Sequence, residues 1–330
     1  MGGCGAPLRL ALEGNIAVGK STFLKLLGAA FPRWHLVPEP VAQWRQVPTA
    51  GTAQVRIWGT AWPGRCHPHP KCPRGFPRAV PPSSQVSPGV PKGCATPMSP
   101  GVPGGCANLL PPLTPMSPQV PGGCANLLQL MYQEPSRWSY TFQTFSCLSR
   151  LRAALEAPGE AGGTPGSPVR VLERSVFSDR YVFAKQLFEA GHLQPLEWAL
   201  YQQCHDVLLA HVGHRAAPHA FLYLRASPQR CLERLRRRAR SEERGVQLGY
   251  LSRLHGQHEL WLLARATEVG CAAARRAPVL LLDAEQDFEH DAARQGRLLA
   301  QVEAFVTSLS ARPVPPHPHT PGTGRGAASA

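Results

Sequence analysis

The sequence predicts an α/β fold, a five-stranded parallel sheet flanked by helices, on three observations. Short apolar runs that end in polar residues alternate with stretches of helical periodicity. A complete glycine-rich phosphate-binding motif joins the first run to the first helix. A Pro/Gly/Ser-rich block between residues 51 and 122 interrupts the alternation and reads as an insertion. The chain has 330 residues, 43% hydrophobic and 17% charged, enough for one sizeable core, but its 35 prolines are too many to lie within one.

Taken in order, the strands are Leu8 to Glu13, His35 to Glu39, Val169 to Glu173, Ala220 to Arg225 and Val279 to Asp283. Each is too short for a buried helix and each precedes helical periodicity, the arrangement of a parallel sheet covered on both faces. After the fourth strand, Ser227-Pro228 supplies a hydroxyl cap followed by proline at the first helical position.

The insertion repeats itself: Ser87-Pro-Gly-Val-Pro-Lys-Gly-Cys-Ala95, Ser99-Pro-Gly-Val-Pro-Gly-Gly-Cys-Ala107 and Ser117-Pro-Gln-Val-Pro-Gly-Gly-Cys-Ala125. Irregular spacing and recurrent prolines argue against a solenoid and for disorder. Cys66-His-Pro-His-Pro-Lys-Cys72 resembles half of a zinc site, but no second ligand pair follows at suitable spacing. A second disordered stretch is expected over residues 310–330, so the folded domain spans 8–309 around the insertion at 51–122.

A formal net charge of +14 suits nucleic acid, an anionic surface or phosphate chemistry, and does not choose among them. No apolar run approaches the ~20 residues that span a bilayer, and Met1 to Leu12 has neither a secretory signal pattern nor an Arg-rich amphipathic transit segment. Of ten cysteines, five (Cys66, Cys72, Cys94, Cys106 and Cys124) lie in one Pro/Gly-rich stretch and the rest are scattered singly, which predicts a reducing compartment without a disulfide framework.

Gly14-Asn15-Ile16-Ala17-Val18-Gly19-Lys20-Ser21, followed by Thr22, is a full P-loop between a strand and a helix. Its glycines let the backbone close round a phosphate, its amides and helix N-terminus face the anion, Lys20 reaches the β- and γ-phosphates, and Ser21 can ligate Mg²⁺. The motif leaves the acceptor open, since switches, motors and kinases share it. Glu39, at the end of the second strand, can accept a proton from a hydroxyl, although a Glu before proline is also a common solvated turn. Glu173-Arg174 and Asp179-Arg180, after the third strand, are acid and base pairs that a surface could equally carry. The run Arg234, Arg236, Arg237, Arg238, Arg240 reads as one helix whose guanidinium forks suit phosphate, and it suits RNA as well.

Glu39-Pro-Val, Tyr140-Thr-Phe-Gln-Thr-Phe-Ser-Cys-Leu-Ser-Arg150, Glu173-Arg-Ser-Val-Phe-Ser-Asp-Arg180 and the Arg-rich run to Glu243 together resemble the deoxyribonucleoside kinases, nearest to their guanosine-type members. The resemblance covers residues 8 to about 50 and about 123 to 309. It implies a P-loop kinase fold with an Arg-rich lid, and transfer of the terminal phosphate of ATP to the 5′-hydroxyl of a purine deoxyribonucleoside. It implies Glu39 as general base with Arg174 as its partner, and Glu173 beside Ser21 on Mg²⁺. The sugar 3′-hydroxyl would fall to Tyr132 and Glu243, and Trp44 would wall the base pocket. Gln143, Ser146, Arg150 and Asp179 would choose the base, and Gln and Arg beside Asp suit the O6 and N7 acceptors of guanine. Arg234, Arg238 and Arg240 would reach the phosphates, with Asp287 and Phe288 against the ATP base.

The resemblance further implies a homodimer and a mitochondrial location, with no nucleic-acid or membrane partner. Other readings stay open: a catalytically impaired nucleotide-binding isoform, because about 70 residues enter between Glu39 and Tyr132; a preference for deoxycytidine; and a P-loop switch or nucleic-acid motor.

Overall fold

Pairing of the apolar runs produces the predicted sheet. In the computed structural model, which describes residues 7–49, 123–156 and 168–311, β1 (Leu8–Glu13) leads through the P-loop into α1 (Lys20–Ala30), and β2 (His35–Val37) follows. The second strand stops two residues short of Glu39. Pro38 and Pro40 flank that position and bring no amide hydrogens to a ladder. After α2 (Val41–Arg45) the chain forms β3 (Val47–Pro48), which pairs antiparallel with β4 (Cys124–Ala125), Val47 opposite Ala125. Thr49 also donates its amide to the Gly123 carbonyl at 2.9 Å. The two ends of the long intervening segment therefore meet as the arms of a hairpin.

The chain continues through α3 (Leu127–Gln133), capped by the Asn126 side chain, and α4 (Pro135–Leu155) to β5 (Val169–Glu173). A bent helical run follows, α5 (Val176–Ser178), π-helical turns over Asp179–Ala184 and α6 (Lys185–Glu189), and then α7 (Pro195–Ala216). Next come β6 (Ala220–Arg225), α8 (Pro228–Arg238), a 3₁₀ turn at Ser241–Glu243, and α9 (Leu248–His258), which runs on in π turns over Glu259–Leu263. α10 (Ala272–Arg276), β7 (Val279–Asp283) and α11 (Ala292–Ser310) complete the chain.

Strand order is β2-β5-β1-β6-β7 with every pairing parallel, so all five carboxyl ends open on one edge, where ligands bind in sheets of this kind. Leu10, Leu12, Val171 and Leu222 are fully or almost fully buried between the helical layers. At about 25 cal/mol per Å² of apolar surface removed from water, this layer is the main stabilising contribution. A second, smaller cluster joins Trp44, Leu127, Leu128, Met131 and Phe142 beside the carboxyl edge.

Two further boundaries differ from expectation. Helix α11 continues through Ser310, one residue past 309. Helix α8 ends at Arg238, because Ala239 turns left-handed at φ 53°, and Arg240 therefore lies in the following turn. The Ser227-Pro228 start matches expectation, with Ser227 Oγ accepting the Arg230 amide at 3.2 Å. The first two repeats, the Cys66–Cys72 cluster and the tail from 312 lie outside the described residues, whereas the third repeat ends within them, its Cys124–Ala125 forming β4. Among the described residues, no helix is long and apolar enough to cross a membrane.

Candidate active site

The phosphate end of the site is made mostly of backbone. Gly14 sits at φ +143°, and a Cβ there would meet the Leu224 carbonyl oxygen at 2.4 Å; Gly19 sits at φ +112° with the Phe288 ring 2.9 Å from its would-be Cβ. Neither position can carry a side chain without moving backbone or ring. Ala17 also takes a left-handed φ of 58°, which costs about 1–2 kcal/mol. Asn15 fixes the loop by donating to the Leu251 carbonyl at 2.9 Å. Lys20 is buried and points its ammonium at the Asn15 and Gly14 carbonyls, 2.8 and 3.2 Å away. Burial, then the nearby Arg174, pulls its pKa down to about 7, so it is a cation poorly compensated until an anion arrives.

Across the cavity, carboxylates and guanidinium groups converge from β2, β5 and α4. Glu39 pairs with Arg174 Nε at 3.1 Å and is gripped more closely still by Arg150 Nη2. Burial alone would raise its pKa, but Arg150, Arg174 and Lys20 outweigh that and hold it at about 2, so the carboxylate stays ionised. Arg174 lies at φ 68°, a strained conformation for a side chain of its size, with its guanidinium 4.4 Å above the Phe183 ring and Nη1 left without a partner. Ser21 Oγ donates to Glu173 Oε1 at 2.7 Å, which brings the two oxygen ligands expected for Mg²⁺ to one point. Among the described residues, no group of three or more His, Cys, Asp or Glu could hold a metal by itself. A magnesium ion here would take its other ligands from phosphate and water, as it commonly does.

The far end is built from side chains. Arg150 spans Glu39 on one side and Asp179 on the other, and its Nη1 reaches Ser146 Oγ at 2.5 Å. Ser146 in turn donates to Asp179 Oδ1 at 3.1 Å. Burial pushes the Asp179 carboxyl up to about 6 against the pull of Arg150. The Arg150 guanidinium stands 4.8 Å from the Trp44 ring centre, and Trp44 meets Phe142 edge-on at 5.5 Å. Gln143 Oε1 and Asp179 Oδ2 are buried with no protein partner, so a ligand edge offering donors would satisfy both. Tyr132 lines the same cavity with Glu243, and burial beside Tyr250 and Glu243 raises its hydroxyl pKa.

The cavity holds about 440 Å³ and runs unbroken from the P-loop to Gln143. Almost every residue singled out in the sequence lines it; Asn15 and Val18 act from behind as loop supports. The arginines divide by role. Arg234 is tied to the carbonyls of Val18, Ala284 and Gln286 at 3.1, 2.8 and 3.0 Å, so it clamps α8 to the P-loop and spends few donors on the cavity. Arg238 donates to both Glu243 oxygens at 2.7 and 2.6 Å, and Arg240 lies 3.7 Å from the same carboxylate. Arg237 reaches Asp287 at 3.0 Å, and Phe288 packs edge-on against Phe23 beside Gly19.

Several site residues escape a reading of the sequence. Glu13, the last residue of β1, is fully buried, accepts from Ser175 Oγ at 2.6 Å and has its pKa pushed to about 7 by burial. A single carboxylate closing an apolar strand immediately before the P-loop is the signal that could have found it. Phe183 and Tyr250, which line the cavity as Glu13 does not, carry no such signal.

A phosphate loop, a carboxylate with two arginines at the strand ends and a half-satisfied polar pocket form one continuous cavity. The model of the deoxynucleoside kinase family matches residues 10–307. A mitochondrial deoxyguanosine kinase of Xenopus laevis is 38% identical over 301 residues, 91% of this chain and 90% of that protein. Deoxycytidine kinase 2 of Gallus gallus is 35% identical over 300 residues, 91% of both chains, and the deoxycytidine kinase of Homo sapiens is 34% identical over 301 residues, 91% of this chain and 92% of that one. With its fold, its P-loop and nearly its whole described length accounted for in this way, the chain belongs to the deoxynucleoside kinase family.

Proposed function

We propose that this deoxynucleoside kinase acts on purine deoxyribonucleosides, deoxyguanosine first and deoxyadenosine with it, using ATP and Mg²⁺. The observation that carries the reading is the chain of contacts from Glu39 through Arg150 to Asp179, beside the unpartnered Gln143 Oε1. Arg150 offers paired donors to O6 and N7 of guanine, while Gln143 Oε1 and Asp179 Oδ2 accept from its ring N–H and amino groups. Cytosine presents fewer such acceptors. A likeness to deoxycytidine kinases nearly equal to that to deoxyguanosine kinase keeps the choice of base open to direct measurement.

In this reading the 5′-hydroxyl lies against Glu39 and attacks the γ-phosphorus as its bond to the departing ADP oxygen breaks. The hydroxyl proton passes to Glu39. Arg174 and Lys20 face the transferring group and stabilise its spread of charge, the principal task in phosphoryl transfer. Bound Mg²⁺, at Ser21 and Glu173, supplies further neutralisation of the phosphate oxygens. When a base draws Arg150 toward its own edge, Glu39 loses one of the charges that depress its basicity. Tyr132 and Glu243 take the 3′-hydroxyl, Arg238 and Arg240 cover the phosphates, and Asp287 and Phe288 flank the adenine.

Leu148 of α4 and Leu196, Leu200 and Val207 of α7 are exposed apolar residues on two helices that pack together, which supports a homodimer through that face. The likeness to a mitochondrial enzyme supports the same compartment for this one. The test is ATP consumption and monophosphate formation with deoxyguanosine, deoxyadenosine, deoxycytidine or no nucleoside. Turnover dependent on purine deoxynucleosides is expected. A deoxycytidine preference would overturn the base assignment, and equal ATP hydrolysis without nucleoside would overturn the acceptor.

A further inference from the structure

Next to Glu243 stands a second glutamate that faces away from the cavity. Glu242 is buried, although it lies in the short Ser241–Glu243 turn that leads away from the Arg-rich helix. Its carboxylate lies 2.7 Å from Arg45 Nε and accepts from Arg45 Nη2 at 3.3 Å, from Asn126 Nδ2 at 3.4 Å and from Ser241 Oγ at 3.3 Å. Burial would raise its pKa, but a backbone amide, Asn126 and Arg45 hold it below the usual carboxylate range. The partners are what matter. Arg45 is the last residue of α2 and Asn126 caps α3, immediately before and after the β3–β4 pair. Trp44 neighbours one and Tyr132 lies on the helix capped by the other.

We infer that Glu242 is a positioning residue for nucleoside binding: its bridge to Arg45 and Asn126 bolts the lid turn to the two helices that carry Trp44 and Tyr132, and so sets Glu243 at the sugar. Glu242 and Glu243 are adjacent on a 3₁₀ turn, where successive side chains diverge by about 120°, so one carboxylate can meet Arg45 while the next lines the cavity. The Glu243 carboxylate itself is held by Arg238, the last residue of α8, and by Arg240, which immediately precedes the turn. The turn also packs directly on α3, and among the described residues the Glu242 bridge is the polar contact that ties it to both α2 and α3. The inference rests on the proposed placement of the sugar 3′-hydroxyl between Glu243 and Tyr132.

The test uses the full-length protein with Glu242→Gln, Arg45→Gln and the double variant. Glu242→Gln is close in shape and Arg45 is partly exposed, so folding should survive; a thermal melt checks this. Nucleoside affinity by calorimetry and KM by turnover are measured for a deoxynucleoside and for its 2′,3′-dideoxy analogue. The expected result is a rise of about tenfold in Kd and KM for the deoxynucleoside in each single variant, the scale of a lost hydrogen bond to a charged group, with kcat and the KM for ATP unchanged. The double variant should be no worse than either single, as expected of two partners in one interaction. The dideoxy analogue should show little change, because the group that Glu242 positions has nothing to hold on it. Equal penalties on both nucleosides, or additive ones, would reduce Glu242 to general stabilisation and overturn the inference. A wild-type protein that binds deoxynucleoside and dideoxynucleoside alike would instead overturn the sugar-site reading, and this inference with it.

Discussion

The two ends of the cavity are made by different means. At the phosphate end, one continuous stretch from Gly14 to Thr22 shapes a loop through its main chain, and its lysine already rests on two carbonyls. At the nucleoside end, α2, α3, α4, the π turns after β5 and the lid all contribute side chains, and Gln143 Oε1, Asp179 Oδ2 and Arg174 Nη1 remain buried without partners. A buried polar atom left unmatched costs about 1–3 kcal/mol, which a fitting ligand returns and a misfit does not. The backbone end should therefore accept its anion with little discrimination, and the side-chain end should carry the choice of substrate.

The sharpest break between the ends should come at Glu39, which touches both. Glu39→Gln keeps the shape but removes the proton acceptor, and kcat should fall by about 10²-fold or more. ATP affinity should stay within a few-fold, since the P-loop contacts are untouched. Single-turnover kinetics beside nucleotide binding would separate the two effects. A variant that turned over at the wild-type rate would remove Glu39 from the chemistry.

Next in size is the combined Arg150→Met, Asp179→Ala change. It deletes the polar edge of the nucleoside pocket together with its internal ion pair, so no lone buried charge is left behind. Deoxyguanosine kcat/KM should drop by roughly 10²-fold and pyrimidine values by much less, measured by competition between paired nucleosides. Equal losses for every base would mean that the pair shapes the pocket without reading it.

The same contrast explains what was legible in the sequence. The five strands and the P-loop rest on local periodicity and a contiguous motif, and they lie where the residues predict, apart from two prolines that shorten β2. Ala239 ends α8 although alanine favours helix, so Arg240 falls outside it for reasons no local rule conveys. The β3–β4 pair has two residues in each strand and joins positions more than 70 apart, too little pattern to read. Glu242 is one of two adjacent glutamates with identical local chemistry; only the fold turns one toward Arg45 and leaves the other in the cavity.

A smaller effect tests the claim that the phosphate end is already built. The Lys20 pKa of about 7 lies below its unfolded value of 10.5, so burial in the fold disfavours the charged form. A triphosphate favours it. At pH 8, where Lys20 is mostly neutral, binding of ATP should therefore take up close to one proton, and affinity should weaken roughly tenfold per pH unit above pH 7. Calorimetry in buffers of different ionisation heat measures the uptake, with Lys20→Arg as the permanently charged control. No uptake in the wild type would mean that the lysine is charged before nucleotide arrives.

The smallest expected effect concerns the segment that joins the arms of the β3–β4 hairpin. Thr49 and Gly123 already meet through a hydrogen bond, and Val47 faces Ala125 directly, so a turn of a few residues is enough to close the loop. Replacing residues 50–122 with a short Asn-Gly-containing turn should leave kcat/KM and the melting temperature essentially unchanged. Loop closure entropy varies slowly with length, about 0.6 kcal/mol per doubling, so the shorter loop should if anything favour the fold slightly. None of the residues assigned to the site falls in the replaced segment. A marked gain in activity on shortening would show that the long segment holds the nucleoside end back, and so would favour an impaired form of the kinase. A collapse of folding would instead mean that the hairpin and Trp44 depend on contacts from that segment, and that the nucleoside end is assembled from one more piece of chain than the cavity alone reveals.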